Sequence, residues 1–353
     1  MIKHLSYKWL LVLLLVFSNS AIYSQVIRCG TVEFEAERRQ QLQGMQTDEE
    51  FETWLSEKIT EKRALEAQGL IINGVYQIPV VVHVVHNGEA VGTGTNISYA
   101  AIQSQIDVLN EDFRRILGTP GWNNHPDGAD TEIEFCLARR KPDGTAFANG
   151  EDGVNRINRN TAGFTAPPYA QTYINGTIKP YCTVTQGWDP GKYMNFWSMN
   201  LGNGLLGYAQ FPTSVIGGMG CGAQSGNTDG VVMLYSSIGK SAVTGFPAPY
   251  NEGRTATHEI GHWLGLRHIW GDALNCTGDD FCNDTPMTSQ SNAGCPVGTN
   301  TCTTTPIDAP DMIENYMDYT YDACMNIFTK DQKMRMRTVL ENSPIRASLI
   351  RSD

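Results

Sequence analysis

The chain has 353 residues, with 26 Lys and Arg against 37 Asp and Glu, so its formal net charge is −11. This acidic balance argues against a nucleic-acid partner, because proteins that bind nucleic acids present basic surfaces to the phosphates; we attribute the acidity to solubility. The length suffices for one large domain or two modest domains with a substantial core.

The amino-terminal residues have the features of a secretory signal peptide. A basic start precedes a short apolar run over residues 9–17, and small residues follow it, which is the order typical of an export leader. The run is too short to span a bilayer comfortably, and no later segment predicts a transmembrane helix. We expect cleavage after Ser24, so that residues 1–24 form the leader and the mature protein is secreted, with no membrane partner.

Residues 25–70 are rich in charged side chains and predict a separate pro-segment. Thr47 and Glu50 form a capping box, and apolar residues at helical spacing follow them. This pattern predicts a charged helix from Thr47 to about Ala67.

The remaining residues, 71–353, predict a catalytic domain of mixed strands and helices. Residues 76–85 are β-branched and almost continuously apolar, as in a buried strand, and we interpret His83 and His86 as packed or hydrogen-bonded rather than as ligands. Apolar side chains at helical spacing predict a helix over 98–117. The other predicted elements are strands at 133–138, 205–211 and 230–237, a helix at 330–340, and long turn-rich loops at 143–200 and 271–311.

The most specific motif is HEIGHWLGLRH at residues 258–268, which matches the extended zinc signature H-E-x-x-H-x-x-G-x-x-H. His258 and His262 are four residues apart and therefore lie on one helix face. Gly265 permits the left-handed turn that ends the helix. That turn brings His268 round as a third ligand. Three protein ligands leave one coordination position open, which is typical of a catalytic zinc ion.

Two further residues complete this zinc chemistry. Glu259 lies beside the metal without binding it, so we expect it to act as general base and then to protonate the leaving amine. Met317 follows the zinc helix in the sequence NYMDY, at the place where metzincins carry a methionine turn beneath the histidines. Alone, a methionine in a turn means little, since methionine commonly fills gaps in cores.

These motifs resemble those of the pappalysin family of metzincin metalloproteases, and within it the ulilysin-like enzymes. The resemblance is carried by HEIGHWLGLRHIWGD, CNDTP, GCPVG and NYMDYTYDACMNIFTKDQ, and it extends over roughly residues 71–345. It implies an α+β fold whose upper subdomain, to about Gly265, has a twisted mixed sheet and two long helices. An irregular, disulfide-stapled lower subdomain would follow, with the substrate cleft between the two.

The resemblance also implies roles for residues around the cleft. Tyr319 matches the tyrosine that stabilises the oxyanion by hydrogen bonding, with a packed aromatic as the alternative. Residues 206–211 match the edge strand that pairs with an extended substrate. Asp322 lies where metzincins form the pocket for the side chain after the scissile bond, and an acidic group there favours Arg, with Lys second. The alternative is that Asp322 is a solvated turn residue.

Nine cysteines in an exported chain predict disulfide bonds. A structural zinc site is the rival interpretation, but no close C-x-x-C pair supports it. The resemblance implies the pairs Cys276–Cys302 and Cys295–Cys324. It leaves four cysteines without an assigned partner: Cys136, Cys182, Cys221 and Cys282.

The odd cysteine, Cys29, lies in the predicted pro-segment. Thiolate is a strong zinc ligand, so Cys29 at the fourth coordination position would displace the catalytic water and keep the zymogen latent. The alternatives are a thiol that pairs with another cysteine and a lipid anchor, which Arg28 disfavours. Activation would then require cleavage between Arg63 and Gly74, for example by the enzyme itself near Arg63.

Hard oxygen ligands also cluster in one loop that resembles the family's calcium site, for which an Asx-rich turn is the alternative. These residues are Asp280, Asn283, Asp284 and Thr285. The sequence thus predicts a secreted, monomeric zinc endopeptidase of protein or peptide substrates, with structural calcium. Two alternatives are a fold that has lost catalysis, which the intact Glu259 disfavours, and a zinc hydrolase of small substrates, which the pro-segment and edge strand disfavour.

Overall fold

The computed structural model describes residues 26–42, 44–70, 74–148, 150–180, 187–215, 228–303 and 309–350. The expected leader, residues 1–24, lies outside them. The helices are α1 Thr31–Gln41, α2 Asp48–Ala67, α3 Tyr99–Phe113, α4 Arg159–Ala162, α5 Gln171–Tyr173, α6 Ser241–Thr244, α7 Arg254–Trp263, α8 Lys330–Asn342 and α9 Pro344–Leu349. The strands are β1 Tyr76–His86, β2 Ile133–Leu137, β3 Val154–Asn158, β4 Met194–Met199, β5 Gly207–Ala209 and β6 Val231–Leu234. Within these ranges no helix has both the length and the apolar character that a membrane span needs.

The six strands form one mixed sheet in the order β2-β1-β4-β6-β5, with β3 also paired to β1. Strand β1 pairs in parallel with β2 along its first half, with β3 along its second half, and with β4 on its other side. Strand β6 is parallel to β4, whereas β5 is antiparallel to β6 and ends the sheet. The edge strand β5 is therefore the part of the sheet that an extended segment can pair with.

Helices α3 and α7 pack on one face of the sheet and fill the main core. Ile102 and Leu109 of α3 and Ile260 and Trp263 of α7 are all buried there. The opposite face carries a second cluster, in which Phe34 of α1 joins side chains from the strands. Because α7 packs directly against β5 and β6, the histidine helix lies immediately beneath the edge of the sheet.

Helix α2 begins where the sequence predicts, because both hydrogen bonds of the Thr47–Glu50 capping box are present. Strand β1 likewise agrees with the prediction, and His83 is confirmed as a packed residue. Its ring is buried, its two nitrogens lie 2.8 and 2.9 Å from the side chains of Asn195 and Asn155, and it stacks on Trp197.

The prediction of a long loop over 143–200 is wrong. This segment contains β3, β4 and short helices, and β4 lies between β1 and β6 within the sheet. Every residue of β4 is buried, but its sequence MNFWSM has neither β-branched enrichment nor alternation, so no local pattern announces a strand. The helix predicted over 98–117 ends early, at Phe113, because Arg115 has a φ of +48° and thereby leaves the helical region.

The lower part of the molecule matches the expected irregular, disulfide-stapled structure. The described residues of 271–311 contain no helix or strand. Cys276 is bonded to Cys302, and Cys295 to Cys324, each pair with Cα atoms 5.9 Å apart. Two of the four cysteines left unassigned, Cys136 and Cys282, are free, whereas residues 182 and 221 lie outside the described part of the chain.

Candidate active site

Helix α7 and the turn after it bring the three motif histidines together. Gly265 has a φ of +88°, and a Cβ there would lie 2.9 Å from Val339, so both the backbone conformation and the available space require glycine. The backbone N–H of Leu266 donates to Gly261 and closes the turn. The chain therefore reverses directly behind the helix and returns His268 to the face that carries His258 and His262.

The three imidazoles converge through one nitrogen each. The Nε2 atoms of His258, His262 and His268 lie 3.0 to 3.3 Å from one another. Each Nδ1 atom instead lies beside an oxygen: those of Tyr316 at 2.7 Å, Leu266 at 2.8 Å and Asp272 at 2.5 Å. These oxygens accept hydrogen bonds, so each Nδ1 carries the ring proton and each Nε2 presents a lone pair.

Three facing lone pairs without a shared proton need a cation between them. Burial lowers the pKa of His258 well below its usual value and that of His262 to about 3, so proton binding does not supply that charge. Neutral imidazole is the form that binds transition metals. The donor set therefore fits a zinc ion, for which three nitrogen ligands at the end of one helix are a common arrangement.

Cys29 is the fourth group at this point. Its sulfur and one nitrogen from each of the three histidines all lie within 4.8 Å of one another, and this is the only such group found among the described residues. Burial, and then the charge of Glu259, raises the pKa of the Cys29 thiol well above its ordinary value. A metal ion would convert this buried thiol into a thiolate ligand, so the position of Cys29 fits a metal site.

The chain reaches this position by pairing with the edge strand. Ile27 forms a parallel bridge with Leu205, and the backbone N–H of Gly30 donates to the carbonyl oxygen of Gly207 at 2.9 Å. Helix α1 begins directly afterwards, at Thr31. The amino-terminal segment thus occupies the edge of β5 that the sequence assigns to an extended substrate.

Glu259 is buried beside the histidines and is covered by the same segment. The Thr31 hydroxyl donates to its Oε2 at 2.8 Å and accepts from the backbone N–H of Ala209 at 2.8 Å, while Oε1 has no hydrogen-bond partner in the described part of the chain. Burial raises the pKa of Glu259 to about 8. Sequence reasoning missed Thr31, for which the available signal was its position two residues after Cys29.

Met317 and Tyr319 both lie next to the histidine cluster. Met317 is fully buried, and a Cβ at Gly261 would collide with its sulfur atom, so the methionine packs directly against α7. The Tyr319 ring centroid lies 4.9 Å from that of His268 and 5.7 Å from that of His258. Burial raises the pKa of Tyr319 far above its usual value, so its hydroxyl remains a hydrogen-bond donor.

Asp322 is not a solvated turn residue, because its side chain is fully buried. Its Oδ2 accepts from the backbone N–H groups of Glu252 at 2.9 Å and Arg254 at 3.2 Å. Its Oδ1 lies 3.3 Å from the guanidinium of Arg28, which also lies over the Tyr250 ring. The residue before Cys29 therefore places an arginine side chain against Asp322, which the sequence analysis did not anticipate.

The four expected calcium ligands divide into two groups. Asp280 is buried and accepts from the Thr285 hydroxyl, with oxygen–oxygen distances of 3.0 and 2.8 Å, and burial raises its pKa to about 7. Asp284 accepts from the backbone N–H of Asp331 at 2.9 Å, and the Asn283 N–H donates to the Asp331 carboxylate. Asn283 and Asp284 thus make hydrogen bonds to the start of α8 rather than to Asp280.

The fold and the histidine cluster together define a metallopeptidase of the metzincin class. The family model described as pregnancy-associated plasma protein-A matches residues 182–341. An extracellular metalloprotease of Verticillium alfalfae is 32% identical over 267 residues, which cover 75% of this chain and 77% of that protein. The chain belongs to this family, the pappalysins, and is a metalloendopeptidase; the family implies a zinc cofactor.

Solved structures confirm the predicted α+β metzincin fold. Mature mirolysin of Tannerella forsythia in complex with a cleaved peptide is 42% identical, with a TM-score of 0.64, and the match covers 79% of this chain and 96% of that one. A mutant of Tannerella forsythia promirolysin is 38% identical, with a TM-score of 0.66, and the match covers 91% of this chain and 96% of that one.

Proposed function

We propose that this chain is the latent precursor of a secreted zinc endopeptidase. His258, His262 and His268 hold the catalytic zinc ion, and Cys29 takes the remaining ligand position until the pro-segment is removed. The observation that carries the proposal is the convergence of the Cys29 sulfur and three imidazole nitrogens within 4.8 Å of one another. Relatives named as extracellular metalloproteases, and the similarity to a structure named promirolysin, support secretion and latency.

The residues around the metal divide the chemistry between them. Zinc, when bound, supplies a Lewis acid for the scissile carbonyl and for the attacking water. Glu259 takes the proton from that water and passes it to the leaving amine. Tyr319 donates a hydrogen bond to the oxygen that becomes negatively charged. Met317 and Gly265 hold the histidines in place.

Strand β5 provides the binding edge for an extended protein or peptide substrate. This edge is complementary to extended backbone, since the carbonyl oxygen of Gly207 accepts from Gly30 and the N–H of Leu206, just before β5, donates to Ile27. Thr31 and Cys29 cover Glu259 and the metal position at the same time. Latency therefore combines a thiol ligand, a hydrogen bond to the general base and an occupied substrate edge.

Asp322 selects the side chain that follows the scissile bond. Its buried carboxylate already faces one guanidinium, that of Arg28, which supports an arginine preference with Lys second. The planar guanidinium can form two parallel hydrogen bonds to a carboxylate, whereas ammonium cannot. We propose cleavage before Arg.

The proposed segments are a leader at 1–24, a pro-segment at 25–70 and a monomeric catalytic domain at 71–353, divided near Gly265. Helix α2 ends at Ala67, and residues 63–70 are exposed, which supports maturation between Arg63 and Gly74. An exposed segment that leaves a helix is accessible to a protease.

Structural calcium in the 280–285 loop is also proposed. Asp280 is a buried acid whose pKa is raised by burial, and Thr285 places a second oxygen beside it. A calcium ion prefers such hard oxygen ligands and would compensate the charge. Binding would require Asn283 and Asp284 to turn from α8 towards Asp280.

Replacement of Glu259 tests the proposed mechanism. The mature Glu259→Ala protein should retain one zinc ion per chain while peptidase activity falls by orders of magnitude, because the general base is lost. Zinc content is measured by atomic absorption and activity by cleavage of a fluorogenic peptide. Glu314→Ala, which removes an exposed glutamate, is the control. Near-normal turnover in Glu259→Ala, or activity that a zinc chelator leaves intact, would refute the mechanism.

A further inference from the structure

Two arginines of the catalytic domain bind one carboxylate of the pro-segment. The guanidinium of Arg335 in α8 donates to both oxygens of Glu52, at 2.9 and 3.0 Å. The Nε of Arg267 donates to the same carboxylate at 2.9 Å. Glu52 and Arg335 are both buried. The Arg335–Glu52 contact is bidentate and charge-assisted, and it is shielded from solvent. Contacts of this kind are among the strongest that a carboxylate makes in a protein.

Removal of the pro-segment deprives both arginines of their ion-pair partners. In the described part of the chain, Arg335 pairs with Glu52, and Arg267 pairs with Glu52 and Asp48; both acids lie in α2. The mature enzyme is left with two adjacent guanidinium groups and no carboxylate between them. Asp280 of the catalytic domain interacts with the charge of Arg335, but neither guanidinium keeps an ion pair among the described residues once α2 has left, so this position favours the binding of another acid.

The two guanidinium groups remain held after α2 has left. Arg335 donates to the carbonyl oxygen of Gly265 at 3.0 Å and lies over the Phe281 ring. Arg267 lies over the Phe211 ring, 4.8 Å from its centroid. All these contacts are within the catalytic domain. The clamp of Arg267 and Arg335 is therefore formed in advance and does not have to be ordered by its ligand.

Arg267 of the clamp faces the catalytic cleft, and Arg335 is reached through the place of the Glu52 carboxylate. One cavity of about 820 Å³ is lined by Glu52 and Arg267 as well as by the proposed zinc ligand His262 and by Phe211. A substrate bound at the zinc position can extend through this cavity as far as the clamp.

The direction of the pro-segment along β5 indicates on which side of the metal position the clamp lies. Arg28 meets Asp322 at one end of the edge strand, whereas at the other end Glu35 accepts from the backbone N–H of Phe211. The clamp adjoins Phe211 and so lies on the side of the metal position away from Asp322. If Asp322 holds the side chain after the scissile bond, the clamp faces residues before it.

We propose that Arg267 and Arg335 form a carboxylate-binding subsite of the mature enzyme, which takes an Asp or Glu side chain of the substrate on the amino-terminal side of the scissile bond. The inference rests on the proposed function, because it assumes removal of the pro-segment and cleavage at the zinc site. Phe51, next to Glu52, packs 5.0 Å from the Phe211 ring, so an aromatic neighbour of the acid would also find an apolar contact.

Paired peptide substrates test this subsite without altering the enzyme. Each peptide carries one Arg directly after the scissile bond. A single Glu is placed in turn at each of several positions before that bond. A second series carries Gln, which has the same shape but no charge. For the mature enzyme, kcat/KM should be higher for Glu than for Gln by roughly tenfold or more at one position. A Glu-to-Gln ratio near one at every position would overturn the inference. The same ratio would result if the Asp280 carboxylate turned towards the clamp and neutralised its charge, and that result would also overturn it.

Variants then assign the preference to the clamp. Arg335→Met should bring the ratio close to one, and Arg335→Lys should leave an intermediate ratio because the charge stays and the two-pronged contact is lost. Lys330→Met removes a charge from the same helix and should keep the ratio. Since each ratio is measured within one enzyme, a general loss of activity cancels; if Arg335→Met does not fold, Arg267→Met replaces it. A ratio that survives these arginine replacements overturns the inference.

The Gln series separates this inference from the proposed function. Zinc-dependent cleavage of the Gln peptides without any Glu preference refutes the subsite and leaves the endopeptidase intact. No cleavage of either series refutes the proposed function, and the subsite with it.

Discussion

Replacement of Asp322 with asparagine isolates the charge that we propose selects arginine. The Oδ2 atom of Asp322 accepts two backbone N–H groups, from Glu252 and Arg254, and the second of these begins α7. Alanine would leave both N–H groups without an acceptor, at roughly 1–3 kcal/mol for each buried group, and would disturb the helix that carries His258. The asparagine oxygen can keep these two bonds, so Asp322→Asn changes only the atom that faces the guanidinium, from a charged acceptor oxygen to an uncharged NH2 group.

The size of the effect follows from the burial of the site. A hydrogen bond to a charged partner contributes roughly 1.5–3 kcal/mol, and each 1.4 kcal/mol is about a factor of ten. The mature enzyme should therefore prefer Arg over citrulline, its uncharged isostere, by roughly tenfold to a hundredfold in kcat/KM. In Asp322→Asn this ratio should fall close to one, since the pocket then offers no charge for the guanidinium.

The assay is a competition between two peptides that differ only in Arg or citrulline after the scissile bond, with product ratios read by mass spectrometry. Zinc content and melting temperature of the variant serve as controls for the integrity of α7. An Arg-to-citrulline ratio that stays at the wild-type value in a folded, zinc-containing variant would show that another group selects the substrate.

Three further predictions concern latency, calcium and a buried lysine. Cys29→Ala should mature faster or cleave a fluorogenic peptide before processing; a variant as silent and as intact as the wild type would assign latency to the bulk of α2 instead. A calcium-selective chelator should lower the melting temperature and activity while zinc stays bound, and no change in either would leave Asp280 and Asp284 as ordinary turn residues. Among the described residues Lys179 has no hydrogen-bond partner, and burial lowers its pKa to about 7, whereas the unfolded chain keeps that proton to about pH 10.4. The latent chain should therefore gain stability from this lysine's deprotonation as the pH rises from about 7 to 10. Lys179→Met should raise the melting temperature most at about pH 6, with a gain that shrinks towards pH 10; a gain independent of pH would contradict the assignment.

Local geometry explains why the centre of the site is readable from the sequence. His258 and His262 meet because a helix places residues four apart on one face, and Gly265 reverses the chain because only glycine adopts its φ at low cost. The capping box at Thr47 is likewise complete within four residues. Each of these features depends on neighbours along the chain, so the sequence pattern alone determined it.

The remainder was decided by contacts between distant parts of the chain. Strand β4 becomes a buried strand because β1 and β6 pair with it on either side, and its own sequence carries no strand pattern. The bond from Thr31 to Glu259 joins residues 228 positions apart, and that from Arg335 to Glu52 joins residues 283 apart. Such pairs are set by sheet order and by the docking of the amino-terminal helices, so no spacing along the chain encodes them. The sequence by itself thus determined which residues carry the proposed chemistry. The tertiary structure decided which pro-segment residues cover those residues, and which charged side chains lose their partners when the pro-segment is removed, because these contacts form only when the whole chain has folded.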